Sequence, residues 1–326
     1  MADDDHSELP TVLVLRRCPF IALLEPKCSQ KFNLLKAWDS PLPQDRFLTT
    51  HARSVQALLS SGNGPPITAQ ILQLLPSLKL VVTNSTGLDH VDLAECRRRG
   101  IAVANAAKVF AEDVADTAVG LFIDVMRKIS ASNRYVRGGL WACRGDYPLG
   151  SKIGGKKVGI VGLGSIGLEV AKRLEAFGCS VSYNSRSEKP SLSYQFYSNV
   201  CELAADSDAL IICCGLTEET HHMINKEVLS ALGREGVIVN VGRGAIIDEK
   251  EMVECLVRGE IGGAGLDVFE NEPNVPKELF SLDNVVLSPH QAIVTHEAFV
   301  DLGELVTGNL EAFFSNKPLL SLAVIN

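Results

Sequence analysis

The sequence has little that would suit a nucleic-acid-binding protein or a membrane protein. Acidic residues outnumber basic ones, 39 to 31, and the formal net charge is −8. Because phosphate binding requires clustered Lys and Arg, this balance argues against a nucleic-acid surface. The apolar stretch 118–126 contains Asp124 and is too short to span a bilayer, which takes about 20 apolar residues. We therefore expect no nucleic-acid partner and no membrane span.

Signals for export and for an oxidising compartment are also lacking. Residues 3–5 are acidic and no apolar segment follows a basic start, so no signal peptide is expected. The nine cysteines are odd in number and have no repeated C-x-x-C spacing, which favours a reducing compartment. Cys213 and Cys214, in the apolar run 209–214, are predicted to be buried strand residues. The C-terminus is unlike Ser-Lys-Leu, so the cytosol is the expected compartment.

Short apolar strands alternate with helical patterns along most of the chain, and a length of 326 residues predicts about two domains. Strands are predicted at 11–15, 78–83, 101–104, 158–161, 179–183, 209–213, 237–240, 263–267 and 284–287. Helices are predicted at 91–99, 112–129, 165–177, 226–232, 249–258 and 297–314. The glycine-containing segment 133–157 is expected to be rich in loops. The alternation implies parallel βαβ units and an α/β fold with doubly wound sheets.

A glycine-rich loop follows the strand 158–161 and opens an apolar helix. Its residues, in the pattern G-x-G-x-x-G, are Gly162, Leu163, Gly164, Ser165, Ile166 and Gly167. In this setting the first glycine permits a tight turn, the second lets a pyrophosphate approach the backbone, and the third allows close packing of helix on strand. The free N–H groups of the helix start favour an anion. The sequence therefore predicts a dinucleotide site, in preference to a glycine-rich turn without a ligand.

The residues after the next strand bear on the choice of coenzyme. An NAD site commonly places Asp or Glu there to bind the ribose 2′-hydroxyl. This chain has Ser185, Arg186 and Ser187 instead. A guanidinium with hydroxyl donors suits a 2′-phosphate, so NADPH is the expected coenzyme and NADH a possible one. The other interpretation is a turn whose polar residues only face water.

Three residues in the second half of the chain suggest chemistry on a 2-oxo acid. Arg243 follows the strand 237–240, at the end where open α/β sheets bind ligands, and its guanidinium can hold a carboxylate with two hydrogen bonds. His290 follows the strand 284–287, and an imidazolium can give its proton to a ketone oxygen. Glu272 can bind the other ring nitrogen and favour the charged form. Two of these residues have a structural alternative: Arg243 could form a surface ion pair, and His290 could be a histidine without a catalytic role.

Two weaker candidates come from other strand ends. Asp267 ends the strand 263–267 and could accept a hydrogen bond from a nicotinamide amide, or could merely cap a loop. Thr86 and Gly87 follow the strand 78–83, and their N–H groups could form a small nest for the substrate carboxylate, or an ordinary turn. His221 and His222 have no comparable setting and are predicted to be solvated.

Taken together, these motifs resemble the D-isomer-specific 2-hydroxyacid dehydrogenases over nearly the full length. More narrowly, the chain resembles plant glyoxylate/hydroxypyruvate reductases of the cytosolic, NADPH-preferring type, which act in photorespiration, with hydroxyphenylpyruvate reductase as a near relative. The segments that carry the resemblance are 158–167, 184–187, 240–244, 262–272 and 288–290. Several motifs in the right order make it far more specific than a glycine loop alone.

The resemblance implies a domain organisation and a set of contacts. It implies a discontinuous, flavodoxin-like substrate domain, 1–104 with 291–326, a dinucleotide-binding Rossmann domain over 105–290, and a cleft between them. Arg243, Glu272 and His290 would be the catalytic set. Beyond the glycine loop and Ser185–Ser187, the coenzyme would contact Val241, Gly242, Arg243 and Asp267. A homodimer is implied through the helix 112–129 and the segment after it, in which Trp141 either reaches the partner's pocket or simply packs.

The resemblance also leaves the preferred substrate open. After the catalytic histidine, relatives commonly carry small residues and a serine, whereas this chain has Gln291-Ala292-Ile293. The expected reaction is NADPH-dependent reduction of glyoxylate to glycolate and of hydroxypyruvate to D-glycerate. An aryl pyruvate such as 4-hydroxyphenylpyruvate is the alternative substrate. A dinucleotide-sensing binding protein on the same fold is the alternative from another functional class.

Overall fold

The computed structural model describes residues 9–17, 19–62 and 64–323. The chain forms two compact units, one of 1–110 with 295–326 and the other of 111–294. The family resemblance implies domain boundaries at 104/105 and 290/291, and these stay a prediction. The acidic start at residues 3–5 and the last three residues of the tail lie outside the described part of the chain.

Strands and helices alternate through both units. The strands are β1 (Thr11–Val14), β2 (Asn33–Lys36), β3 (Ala57–Ser60), β4 (Leu80–Thr83), β5 (Ala102–Ala104), β6 (Lys157–Val161), β7 (Ser180–Asn184), β8 (Gln195–Tyr197), β9 (Ala209–Ile212), β10 (Val237–Asn240), β11 (Gly263–Leu266) and β12 (Val285–Leu287). The helices are α1 (Pro19–Cys28), α2 (Gln44–His51), α3 (Ala69–Gln73), α4 (Leu93–Arg99), α5 (Ala111–Arg127), α6 (Ile129–Arg137), α7 (Leu140–Arg144), α8 (Ser165–Ala176), α9 (Val200–Ala205), α10 (Lys226–Leu232), α11 (Glu249–Arg258) and α12 (His296–Phe314). Short 3₁₀ turns cover Ala37–Asp39, Gly244–Ile246 and Lys277–Ser281.

The unit of 1–110 and 295–326 is built on a parallel five-stranded sheet in the order β2-β1-β3-β4-β5. This is the flavodoxin-like order 2-1-3-4-5. The helix α12 returns the chain to this unit, where it packs on α1 and β4. The tail then adds a bridge between Leu322 and Ala104. One face of the sheet has a continuous apolar core that includes Leu48, Leu58, Leu72, Val81 and Cys96.

The unit of 111–294 is built on a parallel seven-stranded sheet in the order β12-β11-β10-β9-β6-β7-β8. Counted from β6, this is the doubly wound order 3-2-1-4-5-6 with one strand added at the edge. The prediction of an α/β fold with Rossmann-like parallel sheets is confirmed. The order of strands reverses between β6 and β9, and the crevice outside their carboxyl ends is where such sheets bind dinucleotides.

The strand β11 explains how helices cover both faces of this sheet. A Cβ added to Gly265 would lie 2.9 Å from the Cβ of Leu121, so α5 packs directly on the glycine side of the strand. The alternate residues, Ala264 and Leu266, join the core beneath α10 and α11. Because side chains alternate across a strand, the Gly-Ala-Gly-Leu sequence gives one close-packed and one well-filled face.

One expectation from the sequence was incomplete and another was wrong in detail. The segment 133–157 is rich in loops as expected, but α6 and α7 occupy much of its first half, with Gly138 and Gly139 between the two helices. Cys213 and Cys214 follow β9 and are partly exposed, although burial still raises the pKa of the Cys214 thiol to about 11. Within the described residues, no helix combines the length and the apolar composition that a membrane span requires.

Candidate active site

Three adjacent strands each carry a predicted site residue just beyond their carboxyl ends. Arg243 follows β10, Asp267 follows β11 and His290 follows β12. Because β10, β11 and β12 are parallel neighbours, their ends meet at one edge of the sheet. Residues separated by 47 positions in the sequence, from Arg243 to His290, are therefore brought to one place by the topology.

His290 and Glu272 form a hydrogen-bonded pair at this edge. The Nδ1 atom of His290 lies 2.7 Å from Oε2 of Glu272. Since an ionised carboxylate only accepts hydrogen bonds, we assign the Nδ1 proton to this bond. The side chains are 27% and 32% exposed, so the pair is accessible without being fully hydrated. The other ring nitrogen, Nε2, is then the atom that can hold and release a proton.

Opposing effects set the ionisation of Glu272. Burial raises the pKa of its carboxyl, but the hydrogen bond and charge of His290, the Phe269 N–H and the charge of Arg243 outweigh it. The net result is a pKa below the ordinary value for Glu. The Phe269 N–H donates to Oε1 over 3.0 Å, which leaves Oε2 facing His290. Glu272 is therefore an anion held in position beside the imidazole.

Asp267 organises the backbone around His290. Its side chain is almost fully buried, and its Oδ1 accepts from the Ser288 hydroxyl at 2.5 Å and from the Gln291 N–H at 3.0 Å. Its Oδ2 accepts from the Ala292 N–H at 3.1 Å. The Asp267 carbonyl accepts from the His290 N–H, and His290 adopts a left-handed φ of 51°. The described contacts favour the loop-capping interpretation of Asp267, and contact with a coenzyme stays a prediction.

The loop that carries Arg243 is fixed by a buried asparagine and by glycine. The Asn240 side chain accepts from the Gly242 N–H and donates to the Arg243 carbonyl. A Cβ at Gly244 would lie 1.9 Å from the carbonyl carbon of Phe269, so only glycine allows this close approach. The contact joins the Arg243 loop to the segment that leads to Glu272. Arg243 itself is partly exposed, and its Nη1 donates to the Gly242 carbonyl at 2.8 Å.

The glycine loop has the geometry that a pyrophosphate requires. Gly162 has a φ of 97°, and a Cβ on it would lie 2.6 Å from the Cys214 nitrogen. A Cβ on Gly167 would lie 2.3 Å from the Gly162 carbonyl oxygen, whereas one on Gly164 would meet no described atom within 4 Å. The turn is thus tight at both ends and open in the middle, at the start of the helix α8. That opening and the N–H groups of Ser165 and Ile166 fit a bound dinucleotide phosphate.

The segment after β7 exposes the predicted phosphate ligand. Arg186 and Ser187 are exposed, and the Ser185 hydroxyl donates to the Ser187 carbonyl at 2.6 Å. Glu219, in the turn after β9, has its pKa lowered by a hydrogen bond from Thr217 and, more weakly, by the charge of Arg186. An acidic group therefore lies within electrostatic range of Arg186, which the sequence analysis did not predict.

Thr86 and Gly87 belong to the unit of 1–110 and 295–326. Their carbonyl oxygens accept hydrogen bonds from the Asn105 side chain at 2.8 Å and the Ser85 hydroxyl at 2.7 Å. Both bonds hold the turn through its carbonyl oxygens. An anion nest binds its ligand through backbone N–H groups, which these two bonds do not use. Their contact with a substrate stays a prediction.

The sequence analysis missed several residues around Glu272. His222 was expected to be solvated, but its Nε2 lies 3.0 Å from the carboxylate of Glu270 and its side chain is 34% exposed. Glu249 is buried, which raises its pKa, and accepts from the Glu270 N–H at 3.1 Å. No local signal in the sequence connects Glu249, at the start of α11, with a loop about 20 residues away.

Comparison with known proteins gives a consistent result. Residues 119–292 match the family described as D-isomer specific 2-hydroxyacid dehydrogenase, NAD binding domain. The chain is 54% identical to the glyoxylate/hydroxypyruvate reductase HPR3 of Arabidopsis thaliana, over 97% of this chain and 98% of that protein. It is 49% identical to the hydroxyphenylpyruvate reductase of Plectranthus scutellarioides, over 94% of this chain and 97% of that protein.

A solved structure agrees along nearly the whole chain. It is an NADPH-dependent glyoxylate/hydroxypyruvate reductase from Sinorhizobium meliloti, crystallised in complex with NADP and malonate. The TM-score is 0.89, the sequence identity is 36%, and the alignment covers 97% of each chain. The likeness therefore extends to both units and not only to the coenzyme-binding fold.

Proposed function

The chain belongs to the D-isomer specific 2-hydroxyacid dehydrogenases, and on this premise we propose that it reduces small 2-oxo acids, with glyoxylate and hydroxypyruvate as preferred substrates. The observation that carries the proposal is the His290–Glu272 hydrogen bond of 2.7 Å beside Arg243, at the ends of three adjacent strands. The similarity to reductases of these two acids supports the choice of substrate.

His290 is the proton donor in this proposal. Its Nδ1–H is held by an anionic Glu272, so Nε2 of the imidazolium can be directed at a ketone oxygen. As the carbonyl carbon is reduced, negative charge develops on that oxygen, and the proton from Nε2 neutralises it. Glu272 stabilises the charged imidazole before transfer and fixes the ring after it. Asp267 is a positioning residue, since it holds the loop and does not reach the ring.

Arg243 binds the substrate in this proposal. A guanidinium can make two parallel hydrogen bonds to a carboxylate and still polarise the adjacent ketone. Its charge is the smallest of the contributions that lower the pKa of Glu272, after those of His290 and the Phe269 N–H, and Arg243 and His290 follow neighbouring parts of one sheet edge, so substrate and proton donor would lie close together. The N–H groups of Thr86 and Gly87 would provide further donors to the carboxylate.

The coenzyme would be held by the glycine loop, by 185–187 and by the loop 241–243. When bound, the nicotinamide coenzyme supplies the hydride that reduces the carbonyl carbon. The N–H groups at the start of α8 would donate hydrogen bonds to the pyrophosphate and stabilise its negative charge. The chain itself orients the substrate carboxylate and provides the proton.

Replacing Glu272 with glutamine should change the pH profile more than the fold. A neutral amide provides no negative charge beside the ring, so the proton-donating form of the pair is less favoured in the variant. Reduction needs the protonated form, and the fall in rate with rising pH should therefore move to lower pH. The measurement is kcat/KM against pH for both proteins, with Glu278→Gln as a control on an exposed acid nearby. An unchanged profile with an unchanged rate would remove Glu272 from the mechanism.

NADPH is the preferred coenzyme in this proposal, because Ser185, Arg186 and Ser187 stand where an NAD site would place an acid. The double change Ser185→Asp with Arg186→Ala should swing the preference toward NADH, since it removes an attraction and adds a repulsion. Each tenfold swing in kcat/KM corresponds to about 1.4 kcal/mol. The test is the NADPH/NADH ratio of kcat/KM for both proteins. A native preference for NADH, or a ratio that the mutations leave unchanged, would contradict the assignment.

Reduction of an aryl pyruvate is the second candidate, favoured by the similarity to a hydroxyphenylpyruvate reductase. The residues after His290 are the feature of this chain that bears on it. Ala292 is buried and its N–H is bound to Asp267, whereas Gln291 is exposed and Ile293 partly so. Asp267 therefore fixes the backbone here as well as at His290. The side chains at 291 and 293 take no part in those bonds.

We also propose a homodimer in the cytosol. The helix α6 and the segment after it expose large apolar side chains: Ile129, Val136, Trp141 and Leu149. Exposed apolar side chains that form a patch on a globular protein commonly mark an interface, and four of them fall within about 20 residues of the chain here. The cytosol is proposed from the sequence alone, because the nine cysteines are odd in number and have no repeated C-x-x-C spacing.

A further inference from the structure

A second group of ionisable side chains lies outside the Arg243, Glu272 and His290 set. It consists of His221 and His222, in the turn after β9, and Glu270, in the loop after β11. One ligand atom from each residue lies within 4.8 Å of the other two. Glu270 and His222 are partly buried, while His221 is exposed, so solvent ions have access to the group.

The backbone places both histidine rings on the same side. His222 has a φ of 49°, in the left-handed region that residues other than glycine seldom occupy. The rings of His221 and His222 consequently stack, with centroids 4.0 Å apart and planes inclined by 23°. The turn is anchored from behind, since the His222 N–H donates to the Ala245 carbonyl over 2.9 Å. Two neighbouring imidazoles are thus presented together toward the carboxylate of Glu270.

The distances are those of a metal site that needs only small side-chain rotations to close. The Nε2 atom of His222 lies 3.0 Å from Oε1 of Glu270. Two ligands bound tetrahedrally at about 2.1 Å from zinc lie about 3.4 Å apart. Behind His222, its Nδ1 lies 3.9 Å from Oδ2 of Asp248, which is longer than a hydrogen bond. A small rotation of the ring would bring the two atoms into the carboxylate–histidine contact that orients many metal-bound imidazoles.

The ligand set indicates the class of ion. Two imidazoles and one carboxylate suit Zn²⁺ and its first-row neighbours Co²⁺, Ni²⁺ and Cu²⁺, whereas Mg²⁺ and Ca²⁺ prefer oxygen ligands alone. A proton is the other candidate cation, because a charged His222 could pair with Glu270 and Asp248. A proton would explain His222 but would give no reason for the stacked ring of His221 beside it.

We propose that His221, His222 and Glu270 bind one first-row divalent cation, with Asp248 orienting His222. The ion links the turn 217–222 to the loop 267–272, which also carries Glu272. Cation binding depends only on this side-chain geometry and not on the proposed reaction. An experiment can therefore contradict the cation site without contradicting the proposed reductase activity, and the reverse.

Cobalt binding to the full-length protein tests the site. The metal-stripped protein is titrated with Co²⁺ in a Cys143→Ser background, because Cys143 is an exposed thiol that could compete. We expect one ion per chain, with visible d–d absorption and no sulfur-to-cobalt charge transfer. His221→Ala and Glu270→Gln should each weaken binding at least tenfold, whereas His51→Ala, on a remote exposed histidine of α2, should leave it unchanged. Calorimetry with Zn²⁺ should give the same ranking.

Two results would overturn the proposal. One is cobalt affinity that is equal in the background protein, in His221→Ala and in Glu270→Gln. The other is charge-transfer absorption, which would mean that a cysteine binds the ion. Because His221 is exposed, loss of its ring should not unfold the protein, and a far-ultraviolet circular dichroism spectrum of each variant checks this.

Discussion

Arg243→Ala should lower kcat/KM for glyoxylate or hydroxypyruvate by about a hundredfold or more and leave the protein folded. The guanidinium follows β10 at the edge where β11 and β12 also end, beside the His290–Glu272 pair. Loss of a charge-assisted contact to a carboxylate and its ketone costs about 3 kcal/mol, and each 1.36 kcal/mol of barrier is tenfold in rate. Steady-state kinetics with saturating coenzyme give the value.

Two further variants make the Arg243 result specific. Arg243→Lys keeps the charge but not the two parallel hydrogen bonds, so it should recover only part of the lost rate. Arg258→Ala, at an exposed arginine paired with Glu254 at the end of α11, should have near-normal kinetics. Near-normal kcat/KM in Arg243→Ala would exclude the residue from substrate binding. If the variant were much less stable than the native protein, the lost activity would be explained by unfolding instead.

His290→Gln should lower kcat by about a hundredfold to ten-thousandfold, the range of a general acid. Glutamine can still hydrogen-bond to Glu272 but cannot give up a proton at neutral pH. The KM for NADPH should change little, since the coenzyme would lie against other loops. A residual rate that no longer depends on pH in the range where the native rate falls would be the expected signature.

The matched control for His290 is His51→Gln, an exposed histidine at the end of α2. A kcat within tenfold of native for His290→Gln would show that another group provides the proton. An equal loss in the control would point to a general effect of histidine substitution on the preparation. The measurement is therefore kcat, KM for NADPH and the pH profile of all three proteins.

The elements predicted well are those whose ends carry local signals. The prediction of 249–258 for a helix matches α11, because Asp248 caps its start by accepting from the Glu251 N–H and Gly259 ends it with a φ of 65°. The prediction of 226–232 matches α10 in the same way, through the side chain of Asn225. At both helices the signal lies within a few residues and needs no tertiary contact.

The meeting of the proposed catalytic residues could be predicted because strand ends in a parallel sheet share an edge. The sequence placed Arg243 and His290 after strands, and the observed sheet makes β10, β11 and β12 neighbours. The His290–Glu272 bond follows from that order together with a loop that returns Glu272 to the edge. The prediction needed only the strand–loop pattern and the chemistry of each side chain.

Contacts between distant loops could not be predicted in this way. Asp267 binds two backbone N–H groups more than 20 positions away, and His222 pairs with Glu270 across 48 positions. The helices α6 and α7 were missed because glycine suggested loops, although Gly138 and Gly139 only separate the two helices. These loop contacts and these two helices depend on tertiary packing, which cannot be predicted from the local propensities of the residues.

An initial-rate panel of 2-oxo acids tests the proposed function most directly. Purified protein is assayed with glyoxylate, hydroxypyruvate and 4-hydroxyphenylpyruvate, each with NADPH and with NADH. We expect turnover with the highest kcat/KM for glyoxylate or hydroxypyruvate with NADPH, and D-glycerate as the product from hydroxypyruvate. A higher kcat/KM for the aryl substrate would favour the second candidate. Tight coenzyme binding without turnover of any acid would contradict the proposed reductase activity and indicate a dinucleotide-sensing protein.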